Sequence, residues 1–194
     1  KDTTEEFGIS LSTEELHRYA TRHGGSLASL FTPDLLDAFE RKLKRVDIDL
    51  CLHGPNDDML AWVRSMLVPR LQQADTVCVQ VTERGCDSLT VKGDAPEQPQ
   101  LQAQIEVAAL INSLLDLPKL RHMSLGLRLK GWRVVAAAPP LRRAVRAVIN
   151  RAAPSQPAAT KLHSLELNVF PNVSQLILSC DSWSPTAGHA WQIS

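Results

Sequence analysis

Two copies of one spacing, Leu/Val-x-x-Leu-x-Leu, stand eleven residues apart in Leu162-His-Ser-Leu165-Glu-Leu167-Asn-Val169-Phe-Pro-Asn-Val173-Ser-Gln-Leu176-Ile-Leu178. Apolar residues at every second position make each copy a strand with one buried face. Eleven residues leave no room for an intervening helix. Pro171-Asn172 therefore turns the chain, and the copies become the arms of a hairpin.

Upstream, such strands alternate with helices. Residues 1–10 are polar and read as frayed. Ser12-Thr-Glu-Glu15 is a capping box opening a helix that Gly24-Gly25 ends. Thr32-Pro33-Asp34 opens a second helix, with Leu35, Leu36, Phe39 and Leu43 as its apolar stripe. Val46, Ile48, Leu50 and Leu52 then alternate as a strand, broken by Gly54-Pro55-Asn56. Met59, Leu60, Val63, Met66 and Leu67 face a helix inward until Pro69 ends or kinks it. Val77, Val79 and Val81 pair with Leu89 and Val91 as a hairpin. A long helix follows, with Leu101, Ile105, Ala108, Ile111 and Leu115 on its inner face. Met123, Leu125, Leu127 and Leu129 form a strand that turns at Lys130-Gly131 into a second one around Val134. Pro139-Pro140 starts the last helix, with Leu141, Ala144, Val145, Val148 and Ile149 inward.

A period emerges. First strands centre on Val77, Met123 and Leu165, separated by 46 and 42 residues. Second strands centre on Ile48, Leu89, Val134 and Leu176, separated by 41, 45 and 42. The expected architecture is α/β: repeated strand–turn–strand–helix units with helices on one side of a sheet, preceded by a helical N-terminal cap. Residues 1–44 form the cap and 45–194 the repeat region, in one continuous domain. Each unit would bury its apolar face against its neighbours.

At Leu120-x-x-Met123-x-Leu125, Leu162-x-x-Leu165-x-Leu167 and Val173-x-x-Leu176-x-Leu178 the chain resembles the leucine-rich repeat strand motif. The resemblance implies Leu positions facing a core and intervening residues lining a concave binding surface. The asparagine of the family pattern is absent or displaced, and the units exceed the usual length of about 20–29 residues.

Composition narrows the function classes. A hydrophobic content of 44% supports a core, and 21 basic against 21 acidic residues give no global attraction to nucleic acid or membrane. No apolar run reaches the roughly 18 residues of a membrane-spanning helix. Cys51, Cys78, Cys86 and Cys180 lack paired ligand spacing, so no metal is expected, and no motif calls for a cofactor. Lys1 at the first position reads as a trimmed or processed N-terminus. Neither a phosphate-binding glycine loop nor G-x-S-x-G nor H-E-x-x-H occurs, and no catalytic residue is assigned.

Two candidate surfaces remain. Between Asp116 and Glu166 there are ten basic residues and no acidic one. Arg142 and Arg146 are helix neighbours, with Arg143 and Arg151 nearby, and Arg128 lies upstream. Such a patch attracts an acidic protein, nucleic acid or anionic lipid, unless acids from residues 34–116 neutralise it in the fold. With first strands in register, Cys78, Ser124 and Glu166 would align, as would Gln80, Gly126 and Asn168, with Arg128 beside them. That polar ladder is either a solvated sheet or a protein-binding face.

The expected function is a non-enzymatic protein-interaction module. The binding residues would be Arg128, Arg142, Arg143, Arg146, Gln80, Glu166 and Asn168, and the partner a protein with an acidic surface, ahead of nucleic acid or anionic lipid. An Ala-, Arg-, Leu- and Gln-rich composition points to a GC-rich genome, which suits a secreted bacterial effector or adaptor. The alternative is a hydrolase or transferase using Cys51 and His53, or the residues around His122 and His163.

Overall fold

The computed structural model describes residues 7–23, 31–52, 58–83, 98–128, 139–153, 155–170 and 174–179. Six strands form one sheet: β1 (Phe7–Ser12), β2 (Leu43–Leu52), β3 (Thr76–Glu83), β4 (His122–Arg128), β5 (Ser164–Phe170) and β6 (Ser174–Ser179), in that order across the sheet. The first five run parallel and β6 returns antiparallel to β5. The connecting helices are α1 (Thr13–His23), α2 (Pro33–Lys42), α3 (Asp58–Trp62), α4 (Gln98–Leu115) and α5 (Pro139–Ala152). The chain is an α/β protein.

Sequential order fixes where the helices go. Each parallel connection steps one place in the same direction, and such crossovers are right-handed in nearly all proteins, so every helix lands on one face. Burial agrees. Val46, Val77, Met123 and Leu165 stand in one register row, and Ile48, Val79, Leu125 and Leu167 in the next, all buried. Leu43, Ala74, Leu120 and Leu162, three residues before the first of these rows, are buried as well. Removing each large apolar side chain from water contributes about 1.5–3 kcal/mol.

Three expectations about the strands need correction. Phe7–Ser12 is not frayed: Phe7, Ile9 and Leu11 alternate, and the segment pairs with β2 as an edge strand. The two N-terminal helices form as expected, but they follow a strand of the same sheet. Ile48 is not a second-strand position, because it pairs with Val79. The row Val46, Val77, Met123, Leu165 is consequently spaced by 31, 46 and 42 residues, less evenly than the sequence suggested. The closing hairpin forms as expected between β5 and β6. The second arms around Leu89 and Val134 lie outside the described residues.

Local chemistry explains the helix ends. Thr32 caps α2, its hydroxyl accepting from the Leu35 amide at 3.3 Å, with Pro33 in the first turn. Leu36 and Phe39 are buried beneath it, but Leu35 faces out. Phe31 packs against Phe39 and, at 4.5 Å between centroids, against Trp62. After α3 the chain widens into a π-turn over Val63–Leu67, then tightens into a 3-10 turn over Val68–Arg70. Pro69 has no N–H to donate and crowds the preceding turn, so a regular helix cannot continue through it. Met66 therefore points outward instead of into the core.

The inner face of α4 is rotated from the expected one. Ala103, Val107, Leu110 and Leu114 join Ala108 and Ile111 in the core, while Ile105 is 39% exposed and Leu101 and Leu115 are half-buried. Gln104 is 1% exposed in this interface. The face expected for α5 is observed: Leu141, Ala144, Val145 and Val148 are buried and Ile149 is half-buried. Among the described residues, no helix is long and apolar enough to cross a membrane.

Candidate functional site

The face of the sheet turned away from the helices is built from the polar positions of β2 to β5. Its first row is Arg45, Thr76, His122 and Ser164; the second is Asp47, Cys78, Ser124 and Glu166. The third is Asp49, Gln80, Gly126 and Asn168, and the fourth is Cys51, Thr82 and Arg128, beside which register places Phe170, whose side chain lies outside the described residues. At about 4.8 Å between strands, each row spans roughly 14 Å. All-parallel sheets are usually covered on both faces. Here no described element lies over this side, and the period-two polarity of the strands makes that tolerable.

Polar side chains of this face bind one another both along a strand and between strands. Arg45 Nε donates to both carboxylate oxygens of Asp47, at 3.3 and 3.2 Å. That contact raises the Arg45 pKa. Burial pushes the Cys78 thiol up to about 11, reinforced by its hydrogen bond to the Asp47 carboxylate. Such a thiol stays protonated at neutral pH, which is the opposite of an activated nucleophile. Two strands on, Ser124 Oγ donates to Glu166 Oε2 at 3.4 Å.

Gly126 sits in the middle of this face and yet is buried. A Cβ built there would come within 1.8 Å of Gln80 Oε1, so the exposed Gln80 side chain lies directly across the glycine. Glycine in a strand marks a close approach of this kind. Asn168 is placed beside Gly126 by register, and its side chain lies outside the described residues.

His122 and His163 do come together, with ring centroids 5.8 Å apart, edge to face. His122 Nδ1 lies 2.8 Å from Ser164 Oγ, a partner that sequence reasoning missed. Register would have revealed it, since Ser164 pairs with His122 across β4 and β5. A hydroxyl on an imidazole is half of a nucleophile–base pair, which needs a third group to orient the base. Among the described residues, no carboxylate bonds either imidazole. Cys51 is half-buried on the open face, and His53 lies outside the described residues. No three His, Cys, Asp or Glu side chains cluster to hold a metal among the described residues.

The seven predicted binding residues divide between two sides of the molecule. Gln80, Arg128 and Glu166 share the open face, and register puts Asn168 among them. Arg142, Arg143 and Arg146 lie on α5, in the helical layer behind the sheet. The basic patch is also smaller than its sequence run. Arg121 Nη1 donates to the carbonyls of Ala158 and Ala159, and Lys119 to Gln73. Arg151 Nε donates to the Thr160 carbonyl at 2.7 Å, and burial lowers its pKa. These three tie down segments of the fold. On α5, Arg143 and Arg146 are exposed and Arg142 is half-buried. Neither Arg142 nor Arg143 forms an ion pair among the described residues. A cation at the end of a first helical turn, where Arg142 stands, opposes the macrodipole by roughly 0.3–1 kcal/mol. By contrast, α1 and α2 carry Glu14, Glu15 and Asp34 in theirs.

In comparisons with known proteins, no family model matches the chain, and no curated protein or solved structure matches it.

Proposed function

We propose that this chain is a non-enzymatic protein-interaction module that engages its partner through the open face of the sheet. The observation that carries this reading is a parallel sheet with one face that no described element covers. That face holds Asp47, Cys78, Ser124 and Glu166 in one row and Gln80 over Gly126 in the next. Rows of hydrogen-bonding groups at strand spacing suit the polar groups of a polypeptide laid across them. A role as an effector or adaptor agrees with such a surface, and the leucine-rich repeat resemblance points to the same face.

Selecting a random displayed peptide library against the full chain tests it. The expected outcome is enriched peptides whose affinity falls at least about tenfold, roughly 1.4 kcal/mol, in Gln80→Arg or Glu166→Lys. Arg143→Glu should leave them unaffected. Enrichment no better than without the protein would sink the reading, as would peptides indifferent to both open-face changes.

The competing reading is a hydrolase or transferase, favoured by the 2.8 Å contact of His122 with Ser164. It requires Ser164 to label with a fluorophosphonate, or Cys51 to alkylate unusually fast with iodoacetamide at neutral pH.

A further inference from the structure

We propose that the open face takes an extended polypeptide segment bearing a lysine or arginine, its cation on Asp49 and a neighbouring peptide group on the Gln80 carboxamide. This deepens the reading of that face as the interaction surface and rests on it. Asp49, Gln80 and Gly126 follow one another in a single register row across β2, β3 and β4. The row before it is internally committed. There the Asp47 carboxylate is taken by Arg45 and by the Cys78 thiol, and Glu166 accepts from Ser124. Asp49 and Gln80, in contrast, are exposed, and neither side chain forms a hydrogen bond or ion pair among the described residues.

Charge selects the occupant. Asp49 is flanked in its row by Ser12 and Gln80, and along β2 its same-face neighbours are Asp47 and Cys51. None of these four is a cation, and Asp47 is a second acid. The Cys78 thiol, one row away on β3, is pushed up first by burial and then by Asp47, with Glu166 adding to it and Arg45 opposing. The middle of the face therefore attracts a guanidinium or ammonium group and repels phosphate. A metal ion is a poorer occupant, because no three His, Cys, Asp or Glu side chains gather to hold one among the described residues.

Geometry supplies the other half. A carboxamide offers both a donor and an acceptor, as a peptide group does. The Gln80 carboxamide lies across Gly126, where an added Cβ would collide with its Oε1, Cδ and Nε2 alike. The glycine thus leaves room for the amide to lie against the sheet, out of the path of a chain passing over it. A side chain already confined loses less freedom on binding. At about 4.8 Å between strands, a residue whose cation meets Asp49 brings an adjoining peptide group within reach of Gln80.

The composition of peptides selected from a random displayed library against the full chain tests this. Enriched peptides should carry more Lys and Arg than the unselected library. Measured by fluorescence anisotropy, the affinity of an enriched peptide should fall about tenfold or more in Asp49→Asn and in Gln80→Ala. It should stay unchanged in Glu40→Gln, which removes the same charge from an exposed position on α2. Replacing the peptide's Lys and Arg by Gln should cost a similar factor, and spermidine, a cation without a peptide group, should compete poorly. Equal binding of the Gln-substituted peptide, indifference to Asp49→Asn, or an equal loss in Glu40→Gln would overturn the proposal. Enrichment of neutral or acidic peptides that still depend on Gln80 and Glu166 would overturn it too, while leaving the open-face reading standing. No enrichment at all removes both.

Discussion

The two faces of the sheet are made by the same strands and obey different rules. On the covered face, neighbouring strands present Val, Ile, Leu and Met in register, and burial is nearly complete. On the open face the same strands present acids, hydroxyls, thiols, an amide and a glycine, with Cys78 bonded to Asp47 and Ser124 to Glu166 across strands. The covered face is where the fold acquires its stability. The open face is held by polar contacts between its own side chains and by the close approach of Gln80 to Gly126.

The sharpest way to break this contrast is to cut adjacent residues on opposite faces. Leu125→Ala should cost about 2–5 kcal/mol in urea unfolding, through lost burial and a cavity. Ser124→Ala, one position earlier on the open face, should stay within about 0.5 kcal/mol. If the serine change proved as costly as the leucine change, the open face would be a structural element in its own right.

Cys78 probes the same contrast by reactivity. Its thiol is pushed from an ordinary 9.0 up to about 11, so its thiolate fraction at neutral pH should be roughly a hundredfold below that of a free cysteine. Iodoacetamide should label it correspondingly slowly in the native protein and at an ordinary rate in urea. The native state holds this proton more tightly than the unfolded chain does. Stabilisation from the group is therefore complete below about pH 9 and is lost as pH climbs towards about 11. Unfolding midpoints of wild type and Cys78→Ser should accordingly converge across that window.

The smallest expected effect lies on α5. Arg142→Glu should raise the unfolding free energy by roughly 0.3–1 kcal/mol at low salt, because an acid suits a first helical turn. A stability gain there would show that this arginine opposes the fold locally. A loss would place it among the residues that hold α5 in position.

Much of this was legible in the sequence, for one physical reason. A sheet that is polar on one face writes its alternation into the strands, so Val79, Leu125 and Leu167 could be aligned from spacing alone. Other parts were misread for equally physical reasons. Phe7, Ile9 and Leu11 carry the same alternation over only six residues, next to a polar run that masked it. Ile48 was grouped by period, although Leu43-x-x-Val46-x-Ile48 carries the first-strand spacing. For the candidate surfaces, the ladder followed from register. The arginine patch could not be trimmed to α5 without knowing that Arg121, Arg151 and Lys119 reach backbone and side-chain acceptors distant in sequence. The Ser164–His122 contact and the thiol–carboxylate pairing of Cys78 depend on which strands become neighbours, and no local pattern encodes that.

Because the strands lie in the sheet in the order in which the chain makes them, β1 and β6 share no hydrogen bond and β3 sits between two neighbours. Such an arrangement unravels from its ends without having to open in the middle. Amide exchange should accordingly be fastest along the outer strands and slowest in β3, a gradient set by position in the array more than by residue type. A partner seated across β3 and β4, as proposed above, would stay bound while a margin of the molecule frays.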